Sequence, residues 1–338
     1  MKKFEKIIHK NNFDGNIVYG GNEFNESTNR KDIIEDQING VWGKEFFNGS
    51  SSTYSLKLDK FEKIENCLCC KSKNISHKLT LNALSIFQCN DCTFGFQNPR
   101  VKNENVHEIY NNTYIMDVVY DNEIAQKLDK VKFEYGVQTA FRYLNSIQSV
   151  LDVGCGTGLS LDIYEKMGIP NVYGVDPGKY TTKKDLRITN GFMNEIPEQY
   201  KDLSLITFWD TLEHIHDFNY ILSSAYKALK VNGLCLIMVP NFLSLATRLM
   251  RERSPTFQID HLQYFTQNSL KLIMEQSGFD VIHNETVISE IDNCRNYLEF
   301  KEPYFSIPIN EKAFDWLTVD YIHKNMLGSR LLFIGKKK

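Results

Sequence analysis

The sequence predicts an α/β protein built on a doubly wound sheet, with a small cysteine-bearing module ahead of it. Three observations carry this expectation. From residue 148 onward short apolar runs alternate with amphipathic segments, the rhythm of strands and helices in such a sheet. The first run ends in three glycines at alternate positions, Asp152-Val153-Gly154-Cys155-Gly156-Thr157-Gly158, and a helical stretch follows. Upstream, Cys67-Leu68-Cys69-Cys70 and Cys89-Asn90-Asp91-Cys92 supply two C-x2-C pairs.

Composition narrows the class. The chain has 338 residues, room for one large domain or two smaller ones. Its 42% hydrophobic and 24% charged residues exclude a disordered or fibrous chain. A net charge of −3 offers no field to hold a polyphosphate backbone, so no nucleic acid is expected as a partner. The start, Met1-Lys2-Lys3-Phe4-Glu5-Lys6, leads into Asn and Asp rather than an apolar signal-peptide core. The longest uncharged run near span length, Val231 to Thr247, is broken by Asn232-Gly233 and Pro240-Asn241. No membrane insertion is expected. The cytoplasm is the default location, and there the eight cysteines stay reduced.

Taken in order, residues 1–60 are an extension rich in Asn, Gly and Ser to which no role is assigned. Residues 61–104 hold the cysteine pairs. Residues 105–147 read as a helical linker or lid, because Ile124, Leu128, Val131, Tyr135, Phe141 and Leu144 recur mostly at three- and four-residue steps. Residues 148–338 carry the alternating pattern. Strands are expected at Ser149–Val153, Val172–Val175, Leu203–Phe208, Leu234–Val239, 279–288 and Arg330–Gly335, with helices at 158–168, 217–230 and 267–277.

The glycine run is the most informative segment. Glycines at a strand end let the backbone turn tightly and approach a ligand that a Cβ would exclude. The next apolar run ends Tyr173-Gly174-Val175-Asp176-Pro177, which puts an acid 18 residues after Gly158. In Rossmann-like folds an acid at that place takes ribose hydroxyls. The bland alternative is an ordinary turn and a capping Asp.

Dinucleotide folds use G-x-G-x-x-G. Here the pattern is Asp152-x-Gly154-x-Gly156-x-Gly158, which resembles motif I of class I S-adenosylmethionine-dependent methyltransferases. The likeness continues in order down the chain. Phe208-Trp209-Asp210-Thr211-Leu212-Glu213-His214-Ile215 resembles that family's D-x-L-E-H motif, and Leu229-Lys230-Val231-Asn232-Gly233 its turn before the fifth strand. Pro240-Asn241, Gln276 to Val281 and Leu327-Gly328-Ser329-Arg330-Leu331 resemble its later strand ends and entries. The resemblance implies a Rossmann-like, doubly wound seven-stranded sheet and S-adenosylmethionine as methyl donor. By it Gly154, Gly156 and Gly158 admit the methionine moiety, Asp152 helps position its amino group and Asp176 binds the ribose. Phe192 and Met193 flank adenine, and Trp209 and Asp210 close the methionine side. Cys155, inside the loop, reads as packing rather than as a nucleophile.

The C-x2-C pairs are separated by eighteen residues, the spacing of a four-thiolate zinc ribbon in which Cys67, Cys70, Cys89 and Cys92 hold one tetrahedral ion. Disulfides are the rival reading; Cys69 and His77 are alternative ligands. Four cysteines leave no open position, which favours a structural zinc. The side chains of 61–104 sum to +2, which four thiolates and one Zn²⁺ bring to zero, a poor footprint for nucleic acid. Phe94-Gly95-Phe96-Gln97-Asn98-Pro99-Arg100 follows, then Tyr110 and Tyr114. A ribbon with such an exit is similar to one methyltransferase subfamily that includes deoxysugar C-methyltransferases and surface-polysaccharide methyltransferases. By that likeness Tyr114 reaches the donor.

Two histidines lie where chemistry can use them. His214 follows the fourth strand of the family's sheet, as a base or as a residue orienting its loop. Ile259-Asp260-His261-Leu262-Gln263-Tyr264-Phe265, after a helical insertion at Phe242 to Met250, resembles the subfamily's E-H-x-x-Y-F segment, whose histidine is implicated in proton abstraction. His261 matches it. Position 258 is Gln where the carbon methyltransferases have Tyr, which favours O- or N-methylation. His283 is expected to be structural. The acceptor expected is a sugar-type molecule or, alternatively, a phenol or quinone. The rivals from other classes are a ribbon-based nucleic-acid-binding protein and a donor-binding protein without turnover.

Overall fold

The computed structural model describes residues 46–48, 55–81, 84–110, 123–178, 185–191, 196–298 and 314–338. A two-stranded ladder of β1 (Phe47–Asn48) and β2 (Ser55–Leu56) comes first. Then β3 (Phe61–Glu62), β4 (Ile75–Leu81), β5 (Leu84–Cys89), β6 (Gly95–Gln97) and β7 (Arg100–Val101) make up the cysteine-bearing module. Strands β4, β5 and β6 form an antiparallel meander, and β3 pairs with β7 across its exit.

Two helices follow, α1 (Val106–Tyr110) and α2 (Glu123–Phe141). Beyond it the chain alternates as its periodicity demands: β8 (Ser149–Val153), α3 (Leu159–Lys166), β9 (Asn171–Asp176), β10 (Ile188–Asn190), β11 (Leu203–Trp209), α4 (Phe218–Ala228) and β12 (Leu229–Pro240). After α5 (Leu245–Met250) come β13 (Gln263–Tyr264), α6 (Gln267–Gln276), β14 (Phe279–Val287), α7 (Ile291–Leu298), α8 (Val319–Lys324) and β15 (Arg330–Lys337).

Seven of these strands form one sheet in the order β10-β9-β8-β11-β12-β15-β14. The first five run parallel, and β15 is antiparallel to both β12 and β14. Both faces are covered, so the central strands place apolar residues on both sides rather than alternately. Along β12, Leu234, Leu236 and Met238 face α2 and α3, while Cys235, Ile237 and Val239 face α4 and α6. Along β15, Leu332 and Ile334 take the first side and Leu331 and Phe333 the second. Period-two alternation thus feeds two cores from one run of sequence.

Three extents differ from expectation. Leu229–Gly233 is not a separate turn: it belongs to β12, and the register slips from Leu203↔Leu229 to Leu205↔Leu234 around Asn232, whose φ is +63°. The extra residues bulge out of the ladder while the hydrogen bonding resumes beyond them. The insertion after β12 becomes helical only at Leu245, because Ser244 caps that helix by accepting from the Thr247 amide at 3.0 Å. The last expected strand continues to Lys337.

One pairing joins the module to the main body. β13 pairs antiparallel with β6, giving a four-stranded sheet in the order β13-β6-β5-β4. Phe94 completes the junction: its ring lies 5.3 Å from that of Phe218 and 5.6 Å from that of Phe265, in the core under α4 and α6. Gly95 permits the close approach, since a Cβ there would sit 2.8 Å from the Phe242 ring. Among the described residues no helix is long and apolar enough to cross a membrane.

Candidate active site

Parallel strands present their carboxyl ends along one edge, where ligands of open α/β sheets bind. The glycine loop leaves β8 at that edge. Gly154, Gly156 and Gly158 have φ of +80°, +54° and +87°, a region that side chains other than glycine rarely adopt. Asp176, at the end of the adjacent β9, grips the loop: its Oδ2 accepts from the Gly156 amide at 2.9 Å and its Oδ1 from the Gly178 amide at 2.7 Å. The two sequence features thus meet directly.

Asp152 lies beneath this loop. It accepts hydrogen bonds from the Ser160 hydroxyl and, at 2.8 Å, from the Thr207 hydroxyl. Burial pushes its carboxyl up to about 7 against the pull of those two donors. Cys155 lays its thiol across Gly174, where a Cβ would come within 2.4 Å of its sulfur. Burial drives that thiol well above its ordinary value, so it packs and does not attack. Phe192, Met193 and Tyr114 lie outside the described residues.

At the end of the neighbouring β11, Trp209 and Asp210 diverge. Trp209 turns into the core beside α2: its Nε1 donates to the Tyr164 hydroxyl at 2.6 Å, and its ring fills the space a side chain on Gly136 would need. Asp210 is held by Lys132 at 2.6 Å and Arg330 at 2.7 Å. Burial alone would raise its carboxyl, but the Arg330 and Lys132 cations overcome that and hold it below the usual carboxylate range.

The next turn brings the two candidate histidines together. His214 and His261 meet edge to face with ring centroids 4.7 Å apart. His261 is buried, and its Nδ1 donates to the Thr256 carbonyl at 2.7 Å. Burial, helped by His214, lowers it to about 4, so it is neutral at physiological pH. His214 donates from Nδ1 to the Asp260 carbonyl at 3.1 Å, and the Asp260 carboxylate lies 3.4 Å away. Asp260 therefore supports His214, not its sequence neighbour. Glu213, beside His214 in the same turn, is 1% exposed and neither of its carboxylate oxygens has a hydrogen-bond partner. Burial and the nearby Asp210 charge push its carboxyl well above the ordinary value.

The module holds this cluster in place. Gln97, buried in β6, donates through its side chain to the carbonyls of Gln258, Ile259 and His261 at 3.1, 2.9 and 2.9 Å. Gln263 donates to the Leu212 and Ile215 carbonyls on the His214 side. His216 and Arg100 share Glu62 at 3.0 and 2.8 Å. Sequence reading missed Gln97, Gln263 and Arg330, since each works across more than 45 residues of chain. His283 is a structural residue, between Glu285 at 2.9 Å and the Tyr143 hydroxyl at 3.0 Å.

The cysteine pairs converge separately. Cys67, Cys70, Cys89 and Cys92 bring their sulfurs within 4.8 Å of one another, with Cys67–Cys92 at 3.4 Å and Cys70–Cys89 at 3.5 Å. A tetrahedral zinc at about 2.3 Å from each thiolate needs sulfurs roughly 3.8 Å apart, so the donor set fits that ion. Both pairs have the same local form. The amide four residues after the first cysteine returns to its carbonyl (Lys71 to Cys67 at 2.9 Å, Thr93 to Cys89 at 3.0 Å), and that residue is left-handed. Cys69 stands outside the group, 4.0 Å from the Ser269 carbonyl, and His77 bonds to Thr80 at 2.8 Å.

A family model described as "Methyltransferase domain" matches residues 123–284. The ubiquinone biosynthesis O-methyltransferase of Pelagibacter ubique (strain HTCC1062) is 27% identical over 119 residues, 32% of this chain and 48% of that protein. The chain thus spans about half the length of that curated relative. Among solved structures, a SAM dependent methyltransferase from Archaeoglobus fulgidus is 20% identical with a TM-score of 0.44, over 66% of this chain and 98% of the other. One from Aquifex aeolicus is 14% identical with a TM-score of 0.44, over 67% and 99%. Over residues 123–284, just under half of the chain, the sequence is thus similar to methyltransferase domains.

Proposed function

We propose that the chain methylates a hydroxyl oxygen of a small-molecule acceptor, with S-adenosylmethionine as donor and a structural Zn²⁺ on Cys67, Cys70, Cys89 and Cys92. The observation that carries the reading is the adjacency of two strand ends. β8 and β11 pair directly, Val153 against Phe208, so the glycine loop and the His214–His261 cluster open on the same edge of the sheet. S-adenosylmethionine, when bound, supplies an electrophilic methyl carbon. The chain's own residues do the rest. Gly154, Gly156 and Gly158 leave room for a ligand against the backbone, and Asp176, at the end of β9 beside them, is the acid assigned to the ribose hydroxyls. Phe192, Met193 and Tyr114 are assigned to the adenine and methionine sides by resemblance alone. Asp152 supports the loop from below, and Asp210 lines the rim while Trp209 backs it.

Removal of the acceptor's proton falls to the cluster. His214 is the better exposed imidazole. With Nδ1 donating to Asp260, its Nε2 presents a lone pair, and the carboxylate behind it stabilises the imidazolium that proton uptake creates. His261, more buried, holds the ring of His214 from its edge. The ribbon acts through Gln97 by fixing the segment that bears His261. We divide the chain accordingly into an extension (1–60), a ribbon (61–104), a helical linker (105–147) and a methyltransferase domain (148–338).

Two acceptor classes have specific support. The ribbon and the segment Ile259–Phe265 favour a nucleotide sugar or glycan precursor; the Pelagibacter relative favours a phenolic or quinol hydroxyl. The test is calorimetric binding of S-adenosylhomocysteine, weakened at least tenfold by Asp176→Ala, followed by release of S-adenosylhomocysteine with each acceptor class. Absence of S-adenosylhomocysteine binding by the intact protein would overturn the reading.

A further inference from the structure

The cluster beyond β11 has features that a base and its supporting residues do not require. Glu213 is 1% exposed, yet both its oxygens lack a hydrogen-bond partner. Buried without partners, such a carboxyl keeps its proton unless a cation lies beside it to stabilise the anion. One oxygen of Glu213 and one ring nitrogen each of His214 and His261 lie within 4.8 Å of one another. The two imidazoles are also turned alike. Each uses Nδ1 to donate to a backbone carbonyl, Asp260 for His214 at 3.1 Å and Thr256 for His261 at 2.7 Å. That fixes both rings in the tautomer whose Nε2 carries a lone pair. Metal-ligating histidines are held in this way, with the far nitrogen donating to a carbonyl or carboxylate. The Asp260 carboxylate, 3.4 Å from His214 Nδ1, adds the second-layer charge such ligands commonly have.

We propose that Glu213, His214 and His261 form a site for a divalent transition ion, separate from the cysteine site, whose open position takes the acceptor's hydroxyl oxygen. The site rests on the reading of this edge as the acceptor pocket. Two imidazoles and one carboxylate suit zinc and its first-row neighbours, whereas magnesium and calcium prefer an all-oxygen set. Three protein ligands leave a position open, unlike the four thiolates of the ribbon. An ion here also relieves the burial of Glu213 by supplying the positive charge its oxygens lack. Asp210 lies near Glu213 but is engaged by Lys132 and Arg330. It closes the pocket electrostatically without belonging to the ligand set.

With the ion in place both Nε2 lone pairs are used, so in the loaded protein the ion takes over from the His214 imidazole, the base of the metal-free protein, in making the acceptor acidic. An oxygen bound to such an ion loses its proton near neutral pH. The O–H electron pair stays on oxygen, and the proton passes to water. That oxygen is then the nucleophile toward the methyl carbon; the S–C bond breaks with its pair remaining on sulfur. A vicinal pair of hydroxyls, in a sugar or a catechol, has the chemistry to hold such an ion from one or both oxygens.

The test counts ions on the full chain. The protein is dialysed to equilibrium against buffered Zn²⁺, and its zinc is measured by mass spectrometry. Two ions per chain are expected, falling to one in Glu213→Gln and in His261→Asn, with S-adenosylhomocysteine affinity kept within a few-fold. Glu213→Gln conserves shape and buries no charge, so it should fold. Asp260→Asn, which touches only a ligand's support, should weaken the second ion roughly 10- to 100-fold. Loading with Co²⁺ tells the sites apart: thiolate ligation gives an intense charge-transfer band, and a nitrogen and oxygen site gives none. Wild-type protein that takes up no ion outside the thiolate site overturns the proposal. So does a second ion retained unchanged by both Glu213→Gln and His261→Asn. Loss of S-adenosylhomocysteine binding in wild type with the second ion still present would overturn the methyltransferase reading instead and leave this site standing.

Discussion

His214 Nδ1 is bonded to the carbonyl of Asp260, the residue immediately before His261, at 3.1 Å. The turn after β11 and the segment before β13 are thereby locked to each other, and the two imidazoles close edge to face over buried Glu213. Leu262 adds a backbone bond from its amide to the Glu213 carbonyl at 2.9 Å. The histidines, their acidic neighbours and β6, through Gln97, are therefore joined by hydrogen bonds and ring contact.

Removing either imidazole should therefore hit chemistry before donor binding. We expect His214→Ala and His261→Ala each to lower turnover at least about tenfold, within the range of a lost proton-transfer group. S-adenosylhomocysteine affinity should stay within a few-fold by calorimetry. His261→Ala should also lower the melting temperature, because it empties a buried site and orphans the Thr256 carbonyl. Full turnover in both variants with the true acceptor would mean an acceptor that ionises unaided.

Asp152 should make stability depend on pH. Its carboxyl stands near 7 in the fold against 3.8 ordinarily, so between those values the native state holds the proton more often than the unfolded chain. Its contribution is fully present below about 4 and is lost as pH rises through 7, on the order of 4 kcal/mol in all. Asp152→Asn cannot ionise. Its melting temperature relative to wild type should therefore climb between about pH 4 and pH 7 and level off above that, as measured by calorimetric scans. A constant difference across that window would refute the buried, protonated state.

Gln97→Ala should separate the ribbon's bracing from its metal. The variant withdraws a donor from three carbonyls of the 258–261 segment. Leaving such groups unpaired costs about 1–3 kcal/mol. We expect a lower melting temperature and several-fold lower turnover, with zinc content and S-adenosylhomocysteine affinity unchanged. Normal turnover would show that the segment keeps its shape without this side chain.

The thiolate site should be needed for folding. Structural zinc contributes its binding energy to the fold, and here the ribbon's sheet includes β13, next to the candidate acceptor site. Cys70→Ser or Cys89→Ser should give insoluble or heat-labile protein, and Cys69→Ser should be mild. One zinc fewer per chain is the expected reading for any soluble Cys67→Ser/Cys92→Ser protein; unchanged zinc would rule the site out.

What the sequence determined by itself was local. The Asp152–Gly158 loop, the Asp176 strand end and six of the seven strands of the central sheet, all but β10, rest on spacings within some twenty residues, and hydrophobic period and glycine conformation act at that range. The C-x2-C pairs are equally local, each a knuckle with its own left-handed residue. Tertiary structure decided the rest. Which way Trp209 turns depends on the vacancy that Gly136 leaves on α2, and β13 becomes a strand because β6 offers it an edge. That Asp260 serves His214, and that Glu213 is buried without a partner, are properties of elements brought together from distant parts of the chain. A side chain's charge and hydrogen-bonding needs are written in the sequence; whether they are met depends on desolvation and on neighbours that only the folded packing supplies.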